Sequence, residues 1–109
     1  MCKVSVIIPN YNGRQFLEEC LGALREQTFQ DFEVILVDNG SQDDSLKLLA
    51  RVYPEAKSLR LDRNYGFCRA VNEGIRASGA EYVILLNNDT RVHPDFIRYL
   101  TEAMDQHPN

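Results

Sequence analysis

A chain of 109 residues with 44% hydrophobic and 26% charged residues has material for one compact domain and its core. Lys and Arg number 12 against 16 Asp and Glu, and a net charge of −4 speaks against a general nucleic-acid binder. No apolar run approaches the roughly 20 residues of a membrane helix, and a strand-like run begins at Val4, so the sequence reads as cytoplasmic and leaderless.

Apolar runs rich in β-branched residues alternate with segments of helical period. Val4-Ser5-Val6-Ile7-Ile8 is the first run, stopped by Pro9-Asn10-Tyr11-Asn12-Gly13. Phe16, Leu17, Cys20, Leu21 and Leu24 then recur at three- and four-residue steps, which predicts a helix. Phe32 to Val37 is a second strand, followed by Asp38-Asn39-Gly40-Ser41 and a helix through Leu46, Leu49, Ala50 and Tyr53 that Pro54 ends. A weaker strand from Ala56 to Leu61 leads into Asp62-Arg63-Asn64-Tyr65-Gly66. Phe67, Ala70, Val71 and Ile75 mark a third helix, and Tyr82 to Leu86 a fourth strand. After Asn87-Asn88-Asp89-Thr90, Pro94 stands where a first helical position is expected, with Phe96, Ile97, Leu100 and Met104 on the last helix.

Four β-α units with strands apolar on both faces predict an α/β fold, a Rossmann-like parallel sheet with helices on both faces and strand order 3-2-1-4. The pattern stops at Gln106-His107-Pro108-Asn109 without a closing element, so the sheet is expected to be incomplete at its C-terminal side. Cys2, Cys20 and Cys68 form no C-x-x-C pair, which predicts neither a disulfide framework nor a zinc site. Cys20 and Cys68 read as small apolar residues on helix faces.

Ligands of such sheets bind beyond the carboxyl ends of the strands. Every polar cluster of interest falls there: Pro9, Asn10 and Tyr11; Asp38 and Asn39; Arg63 and Asn64; Asn87, Asn88 and Asp89. Asp89, just past an apolar strand, is placed to hold Mg²⁺ or Mn²⁺, with Asn87 and Asn88 assisting through amide oxygens. The competing reading of these residues is turn chemistry ahead of a helix. Asp38 is placed to accept from a nucleobase N–H or a ribose hydroxyl, or to serve as a strand-end turn residue beside Asn39-Gly40. Tyr11 stacks on a base or covers the sheet edge. Arg63 is the best placed of Arg60, Arg63, Arg69 and Arg76 to face a diphosphate; Arg69 and Arg76 also read as a solvated helix surface. Ser41 and Asp44 resemble a helix capping pair, and His93 an N-cap-region residue. No P-loop or G-x-G-x-x-G follows the first strand, and the acidic pair of a phosphate-accepting receiver is absent from its end.

In chain order, Val4 to Gly13, Glu33 to Ser41 with Asp43, Asn64-Tyr65-Gly66-Phe67 with Asn72 and Gly74, and Leu85 to Thr90 with Pro94 resemble the N-terminal half of a family 2 glycosyltransferase of the GT-A fold. The resemblance implies an inverting enzyme that transfers a sugar from a nucleotide-diphosphate sugar, UDP- or dTDP-linked, to an acceptor saccharide or lipid-linked glycan. It places the nucleoside at Pro9, Tyr11, Asp38 and Asn39, the nucleotide near Arg63 and Asn64, and the metal at Asp89. The family's D-x-D motif reads Asn87-Asn88-Asp89 here, a variant similar to the rhamnosyltransferase-like branch. The acceptor site and catalytic base of the family lie beyond residue 109, so the chain is expected to be a donor-binding fragment, inactive alone and open to dimerisation through its free edge. A non-catalytic α/β nucleotide-binding or protein-interaction module is the alternative.

Overall fold

The computed structural model describes residues 2–107; Pro108 and Asn109, where the pattern stops, lie outside them. Eight elements alternate: β1 (Val4–Asn10), α1 (Arg14–Arg25), β2 (Phe32–Asp38), α2 (Ser45–Val52), β3 (Lys57–Arg60), α3 (Phe67–Ala77), β4 (Tyr82–Leu85) and α4 (Phe96–Gln106). The strands form one parallel sheet in the order β3-β2-β1-β4, as the sequence predicts.

β1 runs two residues past its apolar core because Pro9 and Asn10 stay paired with Val37 and Asp38 of β2. Proline is tolerated there for a local reason. Ile7 gives its carbonyl to Leu86 on the β4 side, and Pro9 faces that same side two residues later, where β4 has already ended. The other boundaries shift by a residue or two. Pro94 is not the first helical position: it stands in a turn, and α4 starts after Asp95, with the His93 ring nitrogen accepting from the Asp95 N–H at 3.1 Å.

One face of the sheet is covered by α1, α2 and α4. Val6, Ile8, Val34, Leu36 and Ile84 meet Leu17, Leu21, Leu24, Leu48, Leu49 and Ile97 there, each nearly or fully buried. Burying one such side chain stabilises by about 1.5–3 kcal/mol. Among the described residues the other face carries only α3, seated on Ile7, Ile35 and Val37 through Ala70. Gly74 permits that approach, since a Cβ there would stand 2.5 Å from Ile7 Cγ2.

The two flanks of α3 differ. Arg69, Glu73 and Arg76 pair with one another on one flank. Phe67, Val71 and Ile75 recur on the other, which is the flank toward β4 because Phe67 shares a cavity wall with Asn87 and Asp89. The strip of sheet beside that flank is bare: Val83 and Leu85 are 39% and 44% exposed, and Phe67 and Ile75 53% and 46%.

At the amino ends of the strands a polar chain ties α3 to the sheet. Ser78 Oγ donates to Ser5 Oγ at 2.6 Å, Ser5 Oγ donates to Glu33 Oε2 at 2.6 Å, and Lys57 lies 3.0 Å from Glu33. The Ser5 hydroxyl, and after it Lys57, hold the Glu33 carboxyl below the usual glutamate range against the opposing effect of burial. A lowered folded-state value means the stabilisation is present above the ordinary range and lost as the pH falls through it toward the folded value. The unfolding midpoint of Glu33→Gln is therefore expected to fall less between neutral and acid pH than that of the natural chain. Equal falls in a thermal scan series would contradict this role.

Candidate functional site

The carboxyl ends of β1, β2 and β4 are joined by one chain of side-chain hydrogen bonds. Asp38, fully buried, accepts from the Ser41 N–H at 2.9 Å, from Ser41 Oγ at 2.6 Å and from Asn10 Nδ2 at 3.0 Å. Asn10, 2% exposed, accepts in turn from Asn88 Nδ2 at 2.8 Å through its Oδ1. Three loops distant in sequence are thereby held as one rim.

The neighbouring contacts close the rim further. Asn12 adopts φ of 49°, which asparagine tolerates, and its Oδ1 accepts from the Gln42 N–H at 2.8 Å while its own N–H donates to Ser41 Oγ at 2.8 Å. Asn39 spans to the loop after β3: Nδ2 donates to the Gly66 carbonyl at 2.9 Å and Oδ1 accepts from the Tyr65 N–H at 3.1 Å. Gly40, at φ of 76°, packs so tightly that a Cβ would stand 2.6 Å from Arg63 Cα. Asn64 Oδ1 accepts from the Gly66 N–H at 2.8 Å, turning the chain into α3.

A cavity of about 410 Å³ opens over this rim. Pro9, Asn10, Tyr11, Asn39, Asn64, Asn87, Asn88 and Asp89 line it, so eight of the ten sequence-predicted positions come together. Tyr11 is half exposed on its wall, and Asn87 and Asp89 are exposed. Beneath the 87–90 turn, burial pushes the Cys20 thiol up to about 11, and its Sγ–H donates to the Asn87 carbonyl at 3.9 Å. It is a packed, inert thiol.

Asp38 and Arg63 do not line this cavity. Asp38 lies below the rim and borders a second cavity of about 310 Å³ shared with Ser41, Asp43, Asp44, Lys47 and Arg60. Arg63 lies over the Tyr65 ring at 5.1 Å, with Arg69 at 4.7 Å from the same ring, and Tyr65 donates to Asp62 at 2.5 Å. Cation–π attraction to Tyr65 accounts for that placement. Asn10 and Asn39 use both ends of their amides on protein partners, so their part in the site is to hold it.

Two local expectations are corrected. Ser41 and Asp44 form no capping pair; Ser41 turns inward to Asp38, and Asp43 takes the N–H and hydroxyl of Ser45. Cys68 is exposed at the start of α3, unlike Cys20. Three residues of the site, Gly13, Gly66 and Phe67, are missed by reasoning from sequence. Gly13 is fully enclosed by the relay, since a Cβ would stand 2.1 Å from Asn88 Nδ2 and 2.4 Å from Asn10 Oδ1. The Asn12-Gly13 dipeptide is the available signal, because it marks a turn needing positive φ and a small residue.

Comparison with known proteins agrees with this architecture. The family model described as "Glycosyl transferase family 2" matches residues 5–109. The undecaprenyl-phosphate 4-deoxy-4-formamido-L-arabinose transferase of Pseudomonas syringae pv. syringae (strain B728a) is 39% identical over 110 residues, which cover 94% of this chain and 33% of that protein. The crystal structure of S. aureus TarS 1-349 in complex with UDP-GlcNAc superposes with a TM-score of 0.89 at 27% identity, over 96% of this chain and 32% of that one. The mannosyltransferase PcManGT from Pyrobaculum calidifontis, in complex with GDP-Man and Mn2+, shares the fold with a TM-score of 0.83 at 24% identity, over 94% of this chain and 32% of that one. The chain thus spans about a third of the length of the curated relatives it matches.

Proposed function

The chain belongs to glycosyl transferase family 2, and from that premise we propose that it is the donor-binding part of an inverting glycosyltransferase that takes a uridine or thymidine diphosphate sugar. The observation that carries this reading is the Asp38–Asn10–Asn88 relay, which gathers three strand ends under one polar cavity. The complex of TarS with UDP-GlcNAc supports the ligand class. Tyr11 and Pro9 form the wall for the base, while Asp38 below the rim and Arg63 over Tyr65 support the loops without lining the cavity. Asn64 and Asn87 offer amides to the diphosphate, while the Asn88 NH₂ is turned to Asn10. The rhamnosyltransferase-like assignment rests on the Asn87-Asn88-Asp89 triplet alone.

The donor set fits a divalent ion shared with substrate. Among the described residues no three His, Cys, Asp or Glu cluster to form a closed metal cage. Asp89 contributes one exposed carboxylate, flanked by the amides of Asn87 and Asn88, and hard cations such as Mg²⁺ or Mn²⁺ accept one carboxylate when phosphates complete the shell. When bound, the ion supplies Lewis-acid stabilisation of the leaving nucleoside diphosphate. The chain's own residues orient the donor; the acceptor contacts and the base are assigned to further polypeptide.

The bare strip of Val83 and Leu85 beside Phe67, Val71 and Ile75 supports that assignment, as does a groove of about 480 Å³ along β4 and Leu100, Ala103 and Met104 of α4. In isolation the same β4 edge is open to a second copy, and the chain alone binds nucleotide weakly and transfers no sugar. A cytoplasmic location, at a membrane face for the whole enzyme, completes the proposal.

The test is titration of UDP and dTDP, with and without Mn²⁺, followed by amide shifts at millimolar ligand. Mn²⁺ is expected to tighten binding, and Asp89→Ala to reduce that gain by about tenfold, the loss of one charge-assisted contact of about 1.5 kcal/mol. Metal-independent binding that Asp89→Ala leaves unchanged would overturn the donor-site reading in favour of a non-catalytic nucleotide-binding module.

A further inference from the structure

We propose that Asn88 is a positioning residue for Asp89, oriented through Asn10 by the buried carboxylate of Asp38; this rests on the donor-site reading above. A carboxylate only accepts, so Asn10 must present its NH₂ toward Asp38 and its Oδ1 away from it. That Oδ1 then requires a donor, and Asn88 Nδ2 supplies it at 2.8 Å. The amide orientations follow from this logic, because each is fixed by its neighbour's chemistry. Asn88 is left with its own Oδ1 directed away from the relay.

Asn88 is also the side chain that anchors the turn. Thr90 bonds back within it, its Oγ1 donating to the Asn87 carbonyl at 2.7 Å, whereas the Asn88 side chain reaches across to Asn10 at the end of β1. The Asn10–Asn88 bond occupies the space a side chain at residue 13 would take, since a Cβ there would stand 2.1 Å from Asn88 Nδ2 and 2.4 Å from Asn10 Oδ1. The exposed Asp89, one residue on, takes its position from that anchor.

The relay has a polarity, and polarity can be reversed. In N88D an acceptor faces the Asn10 acceptor, and in D38N a donor faces the Asn10 NH₂. In D38N/N88D the Asn10 amide turns over and every pair is matched again.

The four proteins and N88A are compared by thermal midpoint and by the Mn²⁺ concentration at half-maximal UDP response. Each single exchange is expected to lower the midpoint, and the double exchange to recover most of the loss. N88A is expected to raise the half-maximal Mn²⁺ concentration about tenfold at a temperature where it remains folded. Additive losses in the cycle would overturn the relay. Coupled losses with an unchanged Mn²⁺ response in N88A would overturn the positioning role while leaving the donor site intact. A natural chain without any Mn²⁺ response would overturn the donor-site reading, and this role with it.

Discussion

Asp38→Ala is expected to lower the unfolding midpoint by about 15 °C, the largest loss of any single polar change in the molecule. The carboxylate is fully buried and accepts from two groups of Ser41 and from Asn10. Removing it leaves an amide NH₂, a hydroxyl and a backbone N–H without their acceptor in a closed space. Each buried donor so orphaned costs about 1–3 kcal/mol, and the alanine cavity admits water to only part of them, so a total near 3 kcal/mol follows as an order of magnitude. That is a large fraction of the stability of a domain this size. Asp38→Asn keeps one acceptor oxygen for the Ser41 N–H and is expected to lose about half as much. A differential scanning series on the two variants checks both the size and the order; an Asp38→Ala protein as stable as the natural chain would contradict the relay.

Gly13→Ala is the second large effect, and here the cause is volume alone. Gly13 has φ of −100°, a conformation open to any residue, so no backbone strain attends the substitution. The added Cβ would instead lie 2.1 Å from Asn88 Nδ2 and 2.4 Å from Asn10 Oδ1, so these side-chain amides must move and the hydrogen bond between them is lost. Overpacking of this kind costs about 1–3 kcal/mol and breaks the side-chain bond that ties the β1 loop to the 87–90 turn. Gly22, in the middle of α1, has nothing within 4 Å of the place a Cβ would take, and Gly22→Ala is expected to gain about 0.5–1 kcal/mol through helix propensity. Denaturant melts of the pair read the two signs side by side. Equal shifts would show that the enclosure at Gly13 is not what holds the rim.

The fold was legible because its signals are long and redundant. Val4 to Ile8 and Phe32 to Val37 are apolar on both faces, which only a covered parallel sheet accommodates, and right-handed crossovers leave few orders for four strands. The ends were less legible. Pro9 looks like a stop, yet it pairs in β1 because its missing N–H faces a place where β4 has ended. The Ser41-Asp44 spacing mimics a helix cap, but a buried carboxylate three residues upstream competes for the same hydroxyl and wins. The site was legible as a set of loop ends and not as a set of roles. Asn10 and Asn39 have the composition of ligand contacts, and only the fold shows their amides turned to protein partners. Arg63 is drawn to Tyr65, two residues away, an attraction that spacing alone does not rank against a diphosphate. Phe67 carries the signature of a core helix position and stands exposed because the strip beside β4 is bare.

The proposed function stands or falls on whether the loops after all four strands form one rim that holds a diphosphate through a shared cation at Asp89. Paramagnetic broadening of backbone amides by substoichiometric Mn²⁺, with UDP present, probes this at the residues themselves and works at weak affinity. The amides of residues 87–90 are expected to broaden first, followed by those of Tyr11 and Asn64 across the cavity. Broadening centred on Asp43 and Asp44 at the second cavity, with residues 87–90 untouched, would contradict it.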